Sequence, residues 1–216
     1  MYFLYQNTLK LEDGHTPYER INPDALMRIL VAGDSTAVGT GTVNPENSTA
    51  GRLAAQYPQA EVLNYSENGL KIGGLIPLLN RVDDKGRKFD IVVIQIGAND
   101  IIRNTSLTDI QSGIDQVLQK VEFLGNQVII LHSGDIGEAP FFAWFLRPFL
   151  SKRSLEVRDI YIKEVAKYGA SYVDLVNSPV AKELKEDPKL YYASDGLHLT
   201  DEGYRLWFEE IQKAIK

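Results

Sequence analysis

Residues 29–41 read ILVAGDSTAVGTG. Four apolar residues run unbroken into Gly33-Asp34-Ser35, and Gly39 and Gly41 follow within six positions of Ser35. A run that ends so abruptly in a small, polar turn is a buried strand presenting something at its carboxyl end. The turn offers either backbone N–H groups to a phosphate or a serine to a substrate. A P-loop needs G-x-x-x-x-G-K-[ST], but from Gly33 the next glycine comes one position late and Thr40 stands where lysine belongs. A dinucleotide fingerprint begun at Gly39 meets Asn44 in place of its third glycine. The hydrolase elbow G-x-S-x-G is also absent, because Ala37 follows Ser35 at the second glycine position. The phosphate readings fail on spacing, and the serine remains.

Outward from this stretch, similar apolar runs recur at Glu61 to Tyr65, Asp90 to Ile96, Gln127 to His132 and Ser171 to Val176, with Arg28 to Ala32 as the first. They are near-continuous in Val, Ile and Leu, the pattern of parallel strands covered on both faces. Helical patterns alternate with them. Ser106 and Asp109 open one that carries Ile110, Ile114, Val117, Leu118 and Val121 on one stripe. A second runs from about Ser154 to Gly169, and a third follows Thr200 with Tyr204, Trp207, Phe208, Ile211 and Ile215. The segment Asn44 to Tyr57 turns helical near Ala50. The alternation predicts an α/β fold: a three-layer α/β/α sandwich on a flavodoxin-like five-stranded parallel sheet of order 2-1-3-4-5. Residues 1–216 read as one domain, with 1–25 as an N-terminal extension and 133–153 as an apolar insertion after the fourth strand.

Composition narrows the function classes. A net charge of -6 opposes a nucleic-acid role, which needs a basic face. The absence of cysteine excludes disulfides, a thiolate nucleophile and Cys-based zinc sites. No spacing implies a metal or a cofactor. The opening MYFLYQNTLKLEDGH lacks a basic, long-apolar leader, and no stretch reaches the roughly 20 apolar residues of a membrane span. The reading is a soluble chain, cytoplasmic by default and exported if a leader has been removed. The charged turn Asp83 to Lys88 reads as solvated.

In a 2-1-3-4-5 sheet the chain leaves the first and third strands toward opposite sides, opening a crevice at their carboxyl ends. Ser35 lies in the first turn, and Gly97, Asn99 and Asp100 lie in the third (IGAND). SENGLKIGG, after the second strand, places Gly69 on the adjoining rim. A serine needs a base, and there are three histidines. His15 lies in a polar segment and reads as solvated; His132 ends the fourth strand and reads as structural. His198 sits in SDGLHLTDEG before the last helix, three residues after Asp195. A carboxylate so placed holds Nδ1–H and leaves Nε2 as base, although capping of the helix entry by Asp195 explains the same spacing. Asp34 and Asp100 resemble a glycosidase pair, but the preferred role for each is bonding the N–H groups of its own turn.

These blocks, Gly33-Asp34-Ser35, Gly69 within ENGLKIGG, Gly97-Ala98-Asn99-Asp100 and Asp195-Gly196-Leu197-His198, resemble in order those of the SGNH (GDSL) hydrolases, spanning residues 33 to 198. Many members carry proline after the histidine, where this chain has Leu199. The resemblance implies a serine esterase or lipase-like enzyme working through an acyl-enzyme. It makes Ser35 the nucleophile, His198 the acid/base, Asp195 its orienting partner, and the Ser35 and Gly69 N–H groups with the Asn99 amide an oxyanion hole. The substrate it implies is a small or lipid-like acyl ester, as for a lysophospholipase. A carbohydrate O-acetylesterase is the alternative, and a non-catalytic flavodoxin-like binding module is the alternative of another class.

One stretch is left over. SGDIGEAPFFAWFLRPFLSKR packs its large apolar residues too densely for one helical stripe. It reads either as a short core helix interrupted at Pro148, or as an acyl-binding wall, a lid or a lipid-facing patch over 141–150. On the second reading Phe141, Phe142, Trp144 and Phe145 bind substrate. Tyr192, just before Asp195, joins them.

Overall fold

β1 (Arg28–Gly33) is buried along its whole length, as a strand covered on both faces must be. It pairs in parallel with β2 (Glu61–Ser66) on one side and β3 (Phe89–Gln95) on the other, and β4 (Gly125–Leu131) and β5 (Ser171–Val173) continue the sheet. The order is the flavodoxin-like 2-1-3-4-5. The structure, a computed structural model, describes residues 2–83 and 85–216, and all of their side chains except those of 2–6 and 9. Met1 of the N-terminal extension and Asp84 of the charged turn lie outside the described residues.

The helices are α1 (Tyr2–Gly14), α2 (Ser35–Val38), α3 (Thr49–Gln56), α4 (Ile72–Leu79), α5 (Ala98–Ile102), α6 (Leu107–Leu124), α7 (Arg147–Lys167), α8 (Pro179–Glu186), α9 (Pro188–Tyr191) and α10 (Asp201–Ala214). Alternation within the strands divides the interior in two. Leu30, Val92, Ile94 and Ile130 meet α4, α6 and α7 through Leu75, Ile114, Val117 and Val157. Ile29, Val31, Ile91, Val93 and Ile129 meet α3, α8 and α10 through Leu53, Val180, Tyr204 and Trp207. Each fully buried aliphatic side chain contributes about 1.5–3 kcal/mol. Asp34, Ser48, Ser106 and Thr200 cap α2, α3, α6 and α10 by accepting N–H groups of the first turn.

Two expectations change, and one helix goes unread. α7 opens at Arg147, well before Ser154, and Pro148 sits in its first turn. There the missing N–H has no partner to lose, so proline starts the helix where the sequence suggested an interruption. α4 escapes pattern reading because Gly73, Gly74 and Pro77 interrupt its stripe. The turn around Asp83 to Lys88 is not simply solvated. Its Lys85 reaches the buried Glu61 at 2.9 Å, and Glu61 also holds the buried Arg28 at 2.7 Å. That ion pair closes the amino end of the sheet, with the Arg28 guanidinium over the Phe89 ring. Among the described residues no helix is long and apolar enough to cross a membrane.

His132 follows β4 and is buried, its Nδ1 2.7 Å from the Tyr172 hydroxyl. Burial pushes its pKa down to about 4. Because the unfolded chain binds this proton near pH 6.5 and the folded one only near 4, stability falls as pH drops through that window. Between pH 7 and pH 5 His132 should account for about 2 kcal/mol of the loss. Urea unfolding at the two pH values should therefore show a smaller difference for His132→Gln than for the parent chain.

Candidate active site

Parallel strands end together, so the turns after β1, β2 and β3 share one edge. The first is crowded: Gly33 has φ 151°, and a Cβ there would lie 1.8 Å from the Gln95 carbonyl oxygen. Glycine alone lets β1 approach β3 this closely before the chain turns. Asp34 then caps α2, accepting from the Thr36 N–H at 3.0 Å and the Thr36 hydroxyl at 2.8 Å. Its other oxygen accepts the Gly97 N–H at 3.3 Å, joining the first and third turns. Burial raises the Asp34 pKa, against the pull of those hydrogen bonds. Asp100 departs from the expected local role. It accepts the Ile72 N–H at 2.8 Å, so it fixes the turn that carries Gly69 and not its own.

Ser35, the first residue of α2, is thereby held at the cleft floor. The His198 Nε2 lies 3.0 Å from Ser35 Oγ, and Nδ1 lies 2.7 Å from Asp195 Oδ2. The structure thus brings Ser35, Asp195 and His198, spread over 163 positions, into one hydrogen-bonded row. Oδ1 of Asp195 accepts the N–H groups of Leu197 at 3.0 Å and His198 at 3.1 Å. Burial alone would raise the Asp195 pKa. The His198 hydrogen bond and charge, with those N–H groups, outweigh it and hold the carboxyl below the usual range. A carboxylate that stays ionised beside Nδ1 favours a proton arriving on Nε2.

Asn99 lines the same cleft from α5. Gly69, expected on the rim, is not among the residues lining the cleft; it has φ 73°, and a side chain there would begin 3.2 Å from the Arg103 guanidinium. The cleft walls include Ile102, Ile136, Ala139, Leu175, Leu184 and Tyr192, around a cavity of about 70 Å³. One water needs about 10–15 Å³ by this measure, so a group of a few heavy atoms fills the cavity. Of the apolar residues expected at the substrate, only Tyr192 lines the cleft. Phe142 is buried in the core beneath it, Phe141 packs edge-on against Phe142, and Trp144 and Phe145 are 81% and 62% exposed. The chain turns outward after Phe142, because the Phe141 N–H is tied to the Gly196 carbonyl at 2.9 Å and α7 must begin at Arg147.

Nothing in the sequence hints at what α1 does. The Thr8 hydroxyl donates to Asp195 Oδ2 at 3.0 Å. Asn68 donates to the Glu12 carbonyl and accepts from the Thr40 hydroxyl at 2.7 Å, linking α1 to the first two turns. His15 is half-buried, with its ring nitrogens 2.6 Å from the Leu11 carbonyl and 2.7 Å from the Thr42 carbonyl. The solvated reading of His15 gives way to a clamp. Asn68-Gly69 is a turn signal by itself, but Thr8 carries no mark a sequence reader could use. Among the described residues no cluster of His, Cys, Asp and Glu is placed to hold a metal ion.

The family model described as "GDSL-like Lipase/Acylhydrolase family" matches residues 31–206. Similar solved structures include a member of the lipolytic protein G-D-S-L family from Veillonella parvula, 19% identical, with a TM-score of 0.71 over 87% of this chain and 97% of that one. A lipase/acylhydrolase from Enterococcus faecalis is 23% identical, with a TM-score of 0.66 over 88% and 95%. An acetylxylan esterase from Geobacillus stearothermophilus is 19% identical, with a TM-score of 0.62 over 88% and 94%. Among curated proteins, none matches the chain.

Removing the Thr8 hydroxyl leaves a buried carboxylate oxygen short of a donor, a loss of about 1–3 kcal/mol. Thr8→Val should lower the thermal midpoint accordingly, and Thr8→Ser should restore most of it.

Proposed function

The chain belongs to the GDSL-like lipase/acylhydrolase family, and on that premise we propose that it hydrolyses small or lipid-like acyl esters through an acyl-enzyme formed on Ser35. The observation that carries this reading is the row Asp195–His198–Ser35, at 2.7 and 3.0 Å, on the floor of an apolar cleft.

His198 Nε2 takes the proton of Ser35 as Oγ attacks the ester carbonyl, and the Asp195 carboxylate stabilises the imidazolium that forms. Negative charge develops on the carbonyl oxygen. The Ser35 N–H at the start of α2, the Gly69 N–H and the Asn99 amide are the donors proposed to receive it. His198 then protonates the departing alcohol. Water, activated by the same imidazole, attacks the acyl-enzyme, and the proton returns to Ser35 as the acid is released. The narrow cavity favours short acyl groups, and its mostly apolar walls, with Glu12, Asp135 and Glu138 as the carboxylates among them, favour aliphatic over anionic ones.

A carbohydrate O-acetylesterase is the second reading. The small cavity favours it, and the acetylxylan esterase named above shares the fold.

Purified protein should hydrolyse p-nitrophenyl acetate and butyrate faster than the octanoate. Ser35→Ala and His198→Ala should reduce turnover to near background, and Asn99→Ala should lose on the order of a hundredfold in kcat. Activity confined to acetyl, with release of acetate from acetylated xylo-oligosaccharide, decides for the second reading. A fluorophosphonate that fails to label Ser35, with no turnover at any chain length, would instead indicate a non-catalytic binding module.

A further inference from the structure

Residues 139–155 read APFFAWFLRPFLSKRSL and contain three cations and no carboxylate, in a chain whose net charge is -6. Phe142 and Leu150 anchor this segment in the core. Between them the chain swings outward, leaving Trp144 81%, Phe145 62% and Phe149 52% exposed. Trp144 and Phe145 meet edge to face with ring centroids 6.0 Å apart, so they form one apolar projection. Such an exposed apolar cluster marks an interaction surface.

Charge selects the partner. Beside the projection runs an open groove of about 690 Å³, lined by Arg147, Lys185 and Lys189 along with Pro140, Tyr192 and Gly196. Its one acid, Glu138, pairs with Lys185 at 2.9 Å. Lys152, 77% exposed, stands on α7 next to the aromatics, 3.9 Å from Glu156. A net-acidic chain that gathers cations around exposed Trp and Phe has the composition of a monotopic membrane contact: rings at the acyl boundary, cations at the headgroups. The groove shares Tyr192 and Glu138 with the catalytic cleft, and the Phe141 N–H bonds the Gly196 carbonyl within the Asp195–His198 loop. A surface seated here therefore borders the cleft that holds Ser35.

We propose that Trp144, Phe145 and Phe149, ringed by Arg147, Lys152 and Lys189, dock the protein on an anionic lipid bilayer. The proposal rests on the ester-hydrolase reading only for the use made of docking, since the contact itself needs no turnover.

The test uses Ser35→Ala protein, so that no substrate is consumed, with vesicles of phosphatidylcholine alone or mixed with phosphatidylglycerol. Co-sedimentation should appear with the mixed vesicles and fall as salt rises, because each headgroup contact is screened. Of the two tryptophans, Trp207 is buried, so a blue shift on binding reports Trp144. Adding Trp144→Ala and Phe145→Ala should weaken partitioning by roughly tenfold or more, and Lys152→Glu with Lys189→Glu should abolish the preference for phosphatidylglycerol. Circular dichroism confirms that each variant is folded. Failure to sediment with either vesicle, equal partitioning onto both, or a dimer in ultracentrifugation that buries Trp144 overturns the proposal. A protein that hydrolyses esters yet ignores vesicles overturns it alone. One that docks yet hydrolyses nothing overturns only the catalytic reading.

Discussion

Parallel strands in register end at one edge, and the placement of Ser35, Asn99 and the turn carrying Gly69 depends on that constraint. Gly33 lies beside both Ser66 and Gln95, and Gln95 beside Leu131. The turns that follow therefore start level with one another, although their sequence positions are far apart. Side chains then bolt neighbouring turns together. Asp34 reaches the Gly97 N–H, and Asp100 reaches the Ile72 N–H. Both carboxylates act between loops, so the distances among Ser35, Gly69 and Asn99 are fixed by scaffold rather than by flexible chain.

The fourth block arrives differently. Asp195 and His198 follow β5, a strand of three residues, and the loop needs other supports. The Tyr204 hydroxyl donates to the Thr40 carbonyl at 3.0 Å, holding α10 against the loop after α2. Gly41, at φ 100°, approaches so closely that a Cβ would sit 2.3 Å from the Leu199 carbonyl oxygen and 3.1 Å from the His198 Cβ. The glycines of the first turn thus shape the seat of the histidine and leave phosphate out of account. Tight backbone contact on one side and the Asp195 carboxylate on the other leave the imidazole little freedom to turn away from Ser35.

What the sequence makes legible follows from how locally each feature is encoded. Continuous runs such as ILVAG and the capped stripe after Ser106 carry their own periodicity, so strands and amphipathic helices could be read directly. So could the crevice, once alternation implied a parallel sheet and its five strands suited the flavodoxin-like order. Long-range contacts left no such trace. Thr8 meets Asp195 only in three dimensions, Lys85 looks like any charged turn residue, and Asp100 bonds a different turn from its own. The density of aromatics at 141–150 was visible, yet it is the anchoring of Phe142 and the start of α7 at Arg147 that sort those rings into one core residue and several exposed ones. Pro148 shows the same limit: identical chemistry breaks a helix or begins one, depending on where the preceding turn ends.

The bond from Thr8 to Asp195 joins residues 187 positions apart. Closing so long a loop is slow to reward, because its entropy must be lost before the contact forms. Thr8 precedes all five strands and Asp195 follows them, so this donor reaches the carboxylate only once the whole sheet has been synthesised. A chain made only as far as β5 holds Ser35 without His198 or Asp195, so the hydrogen-bonded row is deferred until the sheet is complete.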